Sequence, residues 1–303
     1  MMMKYISKVV LSMLGLFLLL SFSESPAAAH GGGPSADIWD HWSWQDIPLL
    51  ILMGAWYTVG LRSLWKQAGF GNGISWRRVS AFSLGMIVLF VALVSPLDAL
   101  SEELLTVHMI QHLLIVLLAA PLFVLGRFAL AFAWAWPARS IPRQWTQTWH
   151  FLIRPMTASL LHASAIWIWH MPRLYEASLH NEWIHFLEHA CFFVTALWFW
   201  QSFSDLTANA HMGRSAKFGM GILSVFGLAL VSGLLGVLIA FSPYVWYPTY
   251  LNETARYGLT ALEDQQLAGT IMWVPSGVVY LLAAVGVMAR WLFAMEALEN
   301  PQG

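Results

Sequence analysis

The stretch "NEWIHFLEHACFF", residues 181–193, puts His185, Glu188 and His189 at the head of a run that stays apolar to about residue 203. Positions i and i+4 differ by about 40° around a helix axis, so His185 and His189 share one face of a predicted helix, with Glu188 beside them. The spacing His-x-x-Glu-His is also the inverted zinc-hydrolase motif. The stretch therefore reads either as an enzyme motif or as the polar mouth of a membrane helix. Composition decides between the two backgrounds. Hydrophobic residues make up 58% of the 303-residue chain and charged residues only 10%, against roughly 25% charged in soluble domains. The class is an all-α integral membrane protein. Strand alternation is absent, which argues against a barrel.

The segment 1–29 reads as a cleavable signal peptide. Lys4 and Lys8 precede an apolar core, and Ala27-Ala28-Ala29 offers a small-residue cleavage site. An uncleaved first membrane helix is the other reading. Seven apolar segments follow, near residues 47–65, 78–97, 104–125, 156–171, 182–203, 217–241 and 266–292. Most have the ~20 residues that cross a hydrocarbon core. The fourth is short and stops at Pro172. The expected organisation is a signal peptide (1–29), a short outer segment (30–46), a seven-helix membrane domain (47–295) and a cytoplasmic tail (296–303). "FALAFAWAWP" and "QWTQTWHFLI" read as interfacial, aromatic-rich pieces.

Lys and Arg set the orientation. Arg62, Lys66, Arg77, Arg78, Arg127, Arg139, Arg143, Arg154, Arg214, Lys217 and Arg290 fall on one side, and only Arg173 and Arg256 on the other. The first side is cytoplasmic by the positive-inside rule, so the mature N-terminus lies outside and the C-terminus inside. A net charge of -1 leaves no electrostatic footprint for nucleic acid. The single cysteine, Cys191, excludes an intrachain disulfide and any Cys-x-x-Cys site.

With that topology the polar residues gather at the outer leaflet. His108 and His112 lie one turn apart at the start of the third span, His170 and Met171 end the fourth, and His185, Glu188 and His189 open the fifth. Asp98 ends the second, and Glu263 and Asp264 precede the seventh. Two same-face His pairs on neighbouring helices are how bundles build metal or cofactor sites. Imidazole suits late transition metals, and thioethers such as Met109, Met171 or Met272 favour Cu(I). Glu188 either orients an imidazole or ligates directly. A lone intramembrane His is ordinarily a hydrogen-bonded packing residue, the reading given to His162, His150 and His211. Five histidines at one depth weaken that reading, because ionisable groups in membrane helices usually mark function. Methionines at this depth are more often core.

"SPLDALSEELLTVHMIQHLLIVLLAAPLFVLG", "IWIWHMPRLYEASLHNEWIHFLEHACFF" and "LEDQQLAGTIMWVP" resemble the signature segments of the CtaG-type assembly factors of caa-type cytochrome c oxidase. His-Met-x-Gln, Trp-His-x-Pro and Glu-Asp-Gln-Gln occur in that order, and the resemblance runs from the second to the seventh span. It implies a seven-helix protein of the bacterial plasma membrane, needed to form active oxidase and without catalysis of its own. Copper-centre assembly is the usual proposal for that family, which is distinct from the thiolate-using copper-insertion proteins sharing the name. The signal-like segment and the "HGGGP" lead depart from the pattern. On this basis His108, His112, His185 and His189 are expected to bind copper, with His170 and Met109 nearby and Glu188 and Asp264 tuning the site. Expected partners are oxidase subunits, the lipid bilayer and copper donor proteins on the outer side. Cleavage after Ala29 would add His30, whose α-amino group and imidazole can chelate Cu(II), with His41 in reach of the Gly31-Gly32-Gly33 lead. A disordered mature N-terminus is the plainer reading. Three rivals stay open: a scaffold without metal, a bis-His haem protein, and a zinc hydrolase with Glu188 as base.

Overall fold

The computed structural model describes residues 42–135, 143–208 and 215–299. All secondary structure among these residues is helical. The segment 1–29, His30, His41 and His211 lie outside them.

Helix α1 (Ile47–Ala68) starts with Pro48 in its first turn, where no intrahelical donor is needed, and stops at Gly69. Gly69 has φ +88°, a left-handed value that suits a residue without Cβ. Helix α2 (Trp76–Leu93) is shorter than the 78–97 segment suggests. The chain breaks at Val94, and Pro96 opens a separate short helix, α3 (Pro96–Glu103). Ser95 caps α3 by accepting from Leu97 N at 3.3 Å. Helix α4 (Leu105–Leu125) carries a π-helical stretch over Leu114–Ala119, directly after His112 and just ahead of Pro121. Proline lacks a donor and crowds the preceding turn, so a wider turn accommodates it.

Helices α5 (Phe128–Ala135) and α6 (Arg143–Leu152) occupy the two aromatic-rich pieces. Helix α5 packs on α1 so closely that a Cβ on Gly60 would fall 1.7 Å from the Ala131 carbonyl oxygen. Helices α7 (Pro155–Trp169), α8 (Pro172–His180), α9 (Glu182–Ala208), α10 (Ser215–Ala240) and α11 (Ala261–Glu299) follow. Helix α7 has 15 residues, about 22 Å at 1.5 Å per residue. Helix α11 begins before Glu263 and Asp264, placing both in its first turn, and continues through residue 299.

Among the described residues, five helices are long and apolar enough to cross a membrane: α1, α2, α4, the Gly219–Ala240 part of α10 and the Ala261–Phe293 part of α11. Their outward faces carry exposed Ile51, Leu84, Ile87, Phe226, Leu234, Leu281 and Leu282. An apolar surface of that extent is what lipid covers, so the chain is a multi-pass membrane protein. Helix α4 is the central element, 67% buried against 28% for α1 and α2.

Glycine sets the α10–α11 seam. A Cβ on Gly269 would lie 2.4 Å from the Ala240 backbone nitrogen and 2.7 Å from the Gly236 carbonyl oxygen. Small residues at a membrane helix crossing let the backbones approach in this way. Gly269→Ala is expected to force the helices apart, at a cost of roughly 1–3 kcal/mol. Gly277→Ala on the same helix meets nothing within 4 Å and should be neutral or slightly stabilising. Thermal unfolding in detergent checks the contrast; equal midpoints for the two variants would refute the close seam.

Candidate metal centre

The two ends of the bundle differ in chemistry. At one end Arg127 donates to the Gly73 carbonyl (3.0 Å) and Tyr57 to the Gly126 carbonyl (2.8 Å), joining the 69–75 and 126–127 connections. At the other, Tyr247 donates to the His170 carbonyl (2.9 Å) and Tyr250 to the Ser101 carbonyl (3.0 Å), gathering the 94–104, 170–181 and 241–260 connections. The histidine pairs lie at this second end.

Helical spacing puts His108 above His112 on α4, with ring centroids 4.4 Å apart, and His185 beside His189 on α9, 4.3 Å apart. The pairs face each other, with centroids 5.6 Å apart for His108–His185 and 5.3 Å for His112–His189. Ligand atoms of His108, His185 and His189 all lie within 4.8 Å of one another, and so do those of His108, His112 and Glu188. His112 Nε2 stands 3.8 Å from Glu188 Oε1, too far for a hydrogen bond.

Burial makes this arrangement expensive unless something satisfies it. His108 and Glu188 are fully buried, and His112 and His189 nearly so. Both ring nitrogens of His108 and of His112, Nε2 of His185 and of His189, and both oxygens of Glu188 make no well-formed hydrogen bond among the described residues, although the Ser101 backbone, already bonded to Tyr250, lies near His108. Ser178, beside Glu188, gives its hydroxyl to the Tyr175 carbonyl at 2.7 Å. Each such buried group costs about 1–3 kcal/mol when left unpaired. Four imidazoles and one carboxylate converging without mutual hydrogen bonds form the donor set that a late transition metal takes. The residues fit a metal ion. A cavity of about 40 Å³ adjoins them. That is room for an ion or a few waters.

The surroundings position the cluster. Gln111 points away from it and ties α4 to the end of α2, donating to the Ala92 carbonyl (2.8 Å) and to Asp98 Oδ1 (2.7 Å). The Ser43 hydroxyl holds the other Asp98 oxygen. Asp98 and Glu182 act electrostatically on His185, which places acid at the half-buried edge of the site. Burial, and then Asp98, push the Asp46 carboxyl up to about 7. Tyr175 and Tyr250 roof the centre. Their hydroxyls meet at 2.8 Å, and the Tyr175 ring lies 5.0 Å from that of His108. Tyr250 spends its hydrogen on Ser101, so Tyr175 is the donor between them. Burial pushes both phenols well above their ordinary range, which keeps them protonated.

The remaining expected site residues fall elsewhere. Asp264 is not among the converging donors. Its Oδ2 accepts from Leu105 N (2.7 Å) and its Oδ1 from Thr106 N (3.1 Å), so it caps α4. Glu263 is exposed and bonds to Thr260 (2.8 Å). Met171 is exposed. Met109 and His170 contact each other at 3.5 Å, to one side of the cluster. His162 bonds to Thr195 Oγ1 at 2.8 Å, as a packing histidine does. Gln111 stands in the His-Met-x-Gln motif but was given no role from the sequence, and the tyrosine roof was missed. For Tyr250 the signal was the tyrosine-rich "YVWYPTYLNETARY", which resembles an ordinary interfacial belt.

Fold and site together define a multi-pass helical membrane protein with a buried polyhistidine centre at one end of its bundle. The model of the cytochrome c oxidase caa3 assembly factor family (Caa3_CtaG) matches residues 55–293, and the chain belongs to that family. No curated protein and no solved structure matches it. Membership makes this chain an assembly factor associated with cytochrome c oxidase.

Proposed function

We propose that this protein holds copper at the outer membrane surface and passes it to a cytochrome c oxidase subunit within the bilayer. The observation that carries the reading is the set of four imidazoles and Glu188, buried and converging without hydrogen-bond partners of their own. His108, His112, His185 and His189 hold the ion, and Glu188 balances its charge or orients an imidazole. Copper is cargo here, so no reaction is catalysed. A site without thiolates binds Cu(I) weakly enough to let it go and tolerates Cu(II) as well.

The same reading includes seven spans, with α7 and α9 added to the five long apolar helices. It places the mature N-terminus outside and the tail in the cytoplasm of a bacterial cell, after removal of segment 1–29. The arginine-rich end of the bundle supports that orientation.

Elemental analysis of detergent-purified protein tests the centre. Copper is expected in the wild type and expected to be lost in the His108→Ala/His189→Ala double variant. Zinc instead of copper would favour the three-imidazole hydrolase reading, since His108, His185 and His189 with Glu188 nearby also match a catalytic zinc donor set. No metal in either protein would favour the bare scaffold.

Orientation has its own test. In a Cys191→Ser background, Asn252→Cys in the 241–260 connection should react with a membrane-impermeant thiol reagent in whole cells. Ser75→Cys at the opposite end should react only after lysis. Both positions are exposed, so burial does not confound the comparison. The reverse pattern would invert the topology.

A further inference from the structure

His170 and Met109 make a contact that hydrogen bonding does not explain. His170 follows the last residue of α7 and is buried, with Nδ1 2.7 Å from the Ile166 carbonyl oxygen. A carbonyl can only accept, so Nδ1 carries the hydrogen and Nε2 of the neutral ring is a bare lone pair. That lone pair faces Met109 Sδ at 3.5 Å, and a thioether has no hydrogen to give. Two lone-pair atoms thus point at each other in a buried place. Metal bonds of about 2.0 Å to imidazole nitrogen and about 2.3 Å to sulfur would set two ligands of one ion roughly this far apart.

Both side chains line the cavity of about 40 Å³, together with His112, Met272, Ser232 and Ser276. The serine hydroxyls are committed. Ser232 donates to the Leu228 carbonyl (2.7 Å), and Ser276 bonds to the Met272 carbonyl. Leu117, Ile166 and Phe192 supply apolar wall, and among the described residues no carboxylate lines the cavity. What this chamber offers a ligand is therefore nitrogen and sulfur lone pairs, with the Tyr280 hydroxyl as the one other polar group in an apolar setting among the described residues. The neighbouring cluster offers imidazoles and a carboxylate.

We propose that this chamber is a second metal site, selective for Cu(I), with His170 and Met109 as ligands and Met272 as a further thioether at its wall. The inference rests on the copper reading of the histidine cluster and adds a destination beside it. Soft thioether and neutral imidazole favour Cu(I) over divalent ions. His112 belongs to both compartments. Its ring lies 4.4 Å from that of His108 and 6.0 Å from that of His170, and it lines the chamber itself. Copper passes by ligand exchange through His112, as Cu(I) throughout, with no change of oxidation state and no electron donor required. The carboxylate-containing cluster accepts the ion from the acidic edge, and the soft chamber retains only the monovalent form.

The test is an anaerobic titration of purified protein with Cu(I) against a chromophoric chelator, alongside Co(II) binding and X-ray absorption. Met109→Leu removes the sulfur at nearly constant volume, so the core is kept. The wild type should bind one more equivalent of Cu(I) than Met109→Leu and show a sulfur shell that the variant lacks, with Co(II) capacity equal in both. Met272→Leu should weaken the extra equivalent if its thioether ligates. His189→Ala should lose Co(II) and keep the sulfur-bound Cu(I). Loss of Co(II) in His189→Ala, with identical Cu(I) stoichiometry and no sulfur shell in wild type and Met109→Leu, overturns the second site and leaves the first standing. Metal binding unchanged by either variant overturns both.

Discussion

Cytochrome c oxidase from a strain lacking this gene is expected to accumulate in the membrane as polypeptide while showing little activity and missing copper. The expectation follows from the proposal that the histidine cluster holds copper and releases it. Family membership makes this protein an oxidase assembly factor, and copper is the cargo proposed for its buried His108–His112–His185–His189 cluster. Without the carrier, the oxidase site fills only from free copper, so occupancy follows mass action. Excess copper in the medium should then partly restore activity, because binding to the native fold rises with free ligand over Kd. A protein-only scaffold predicts otherwise: subunits would fail to accumulate, and added copper would change nothing. The decisive measurement is copper per oxidase after purification from the deletion strain. A normal ratio would sink the delivery reading whatever the activity.

The parts of this molecule that were legible in its sequence are those encoded by local spacing. Each of the seven apolar runs from residue 47 onward is mainly helix, the second broken at Val94, and the two i,i+4 histidine pairs face inward as a 3.6-residue period requires. Positive-inside counting separated two ends, and the structure gathers the histidine pairs at the arginine-poor one. What local spacing could not show was partnership across the bundle. Asp264 and the histidines share a depth, yet the carboxylate accepts from backbone amides 159 and 158 residues away. Tyr175 and Tyr250 are 75 residues apart and close the site through one hydrogen bond. His170 joined the histidine layer by depth, but the tautomer enforced by Ile166 turns its free nitrogen toward Met109. Depth in a membrane is a one-dimensional coordinate. It groups residues that three dimensions then divide between structure and site. The break at Val94 was visible in principle, since Ser95-Pro96 is a cap followed by a helix-opening proline.

Asp264→Asn is the substitution that separates these two kinds of residue, and it should be severe. The first N–H groups of α4 have no partner within their own helix. The preceding residue, Leu104, has no side-chain acceptor to cap them. Asp264 supplies both oxygens from α11, and its own carbonyl accepts from Thr106 Oγ1 at 3.1 Å. A carboxylate at a helix N-terminus also favours the dipole. The whole arrangement is buried, and one turn further along stands His108. Asparagine keeps one acceptor, but its amide group would turn hydrogens toward a backbone N–H. One charged hydrogen bond is lost and one buried donor left unpaired, a cost of about 2–4 kcal/mol. The metal-free variant in detergent should unfold several degrees below the metal-free wild type. Its copper capacity, measured well below that midpoint, should be unchanged, because no ligand atom has been removed. If Asp264 were instead a metal ligand, the pattern would be opposite. Metal-free stability would match the wild type, and copper would be lost. That result would return Asp264 to the metal centre and overturn its assignment as the cap of α4.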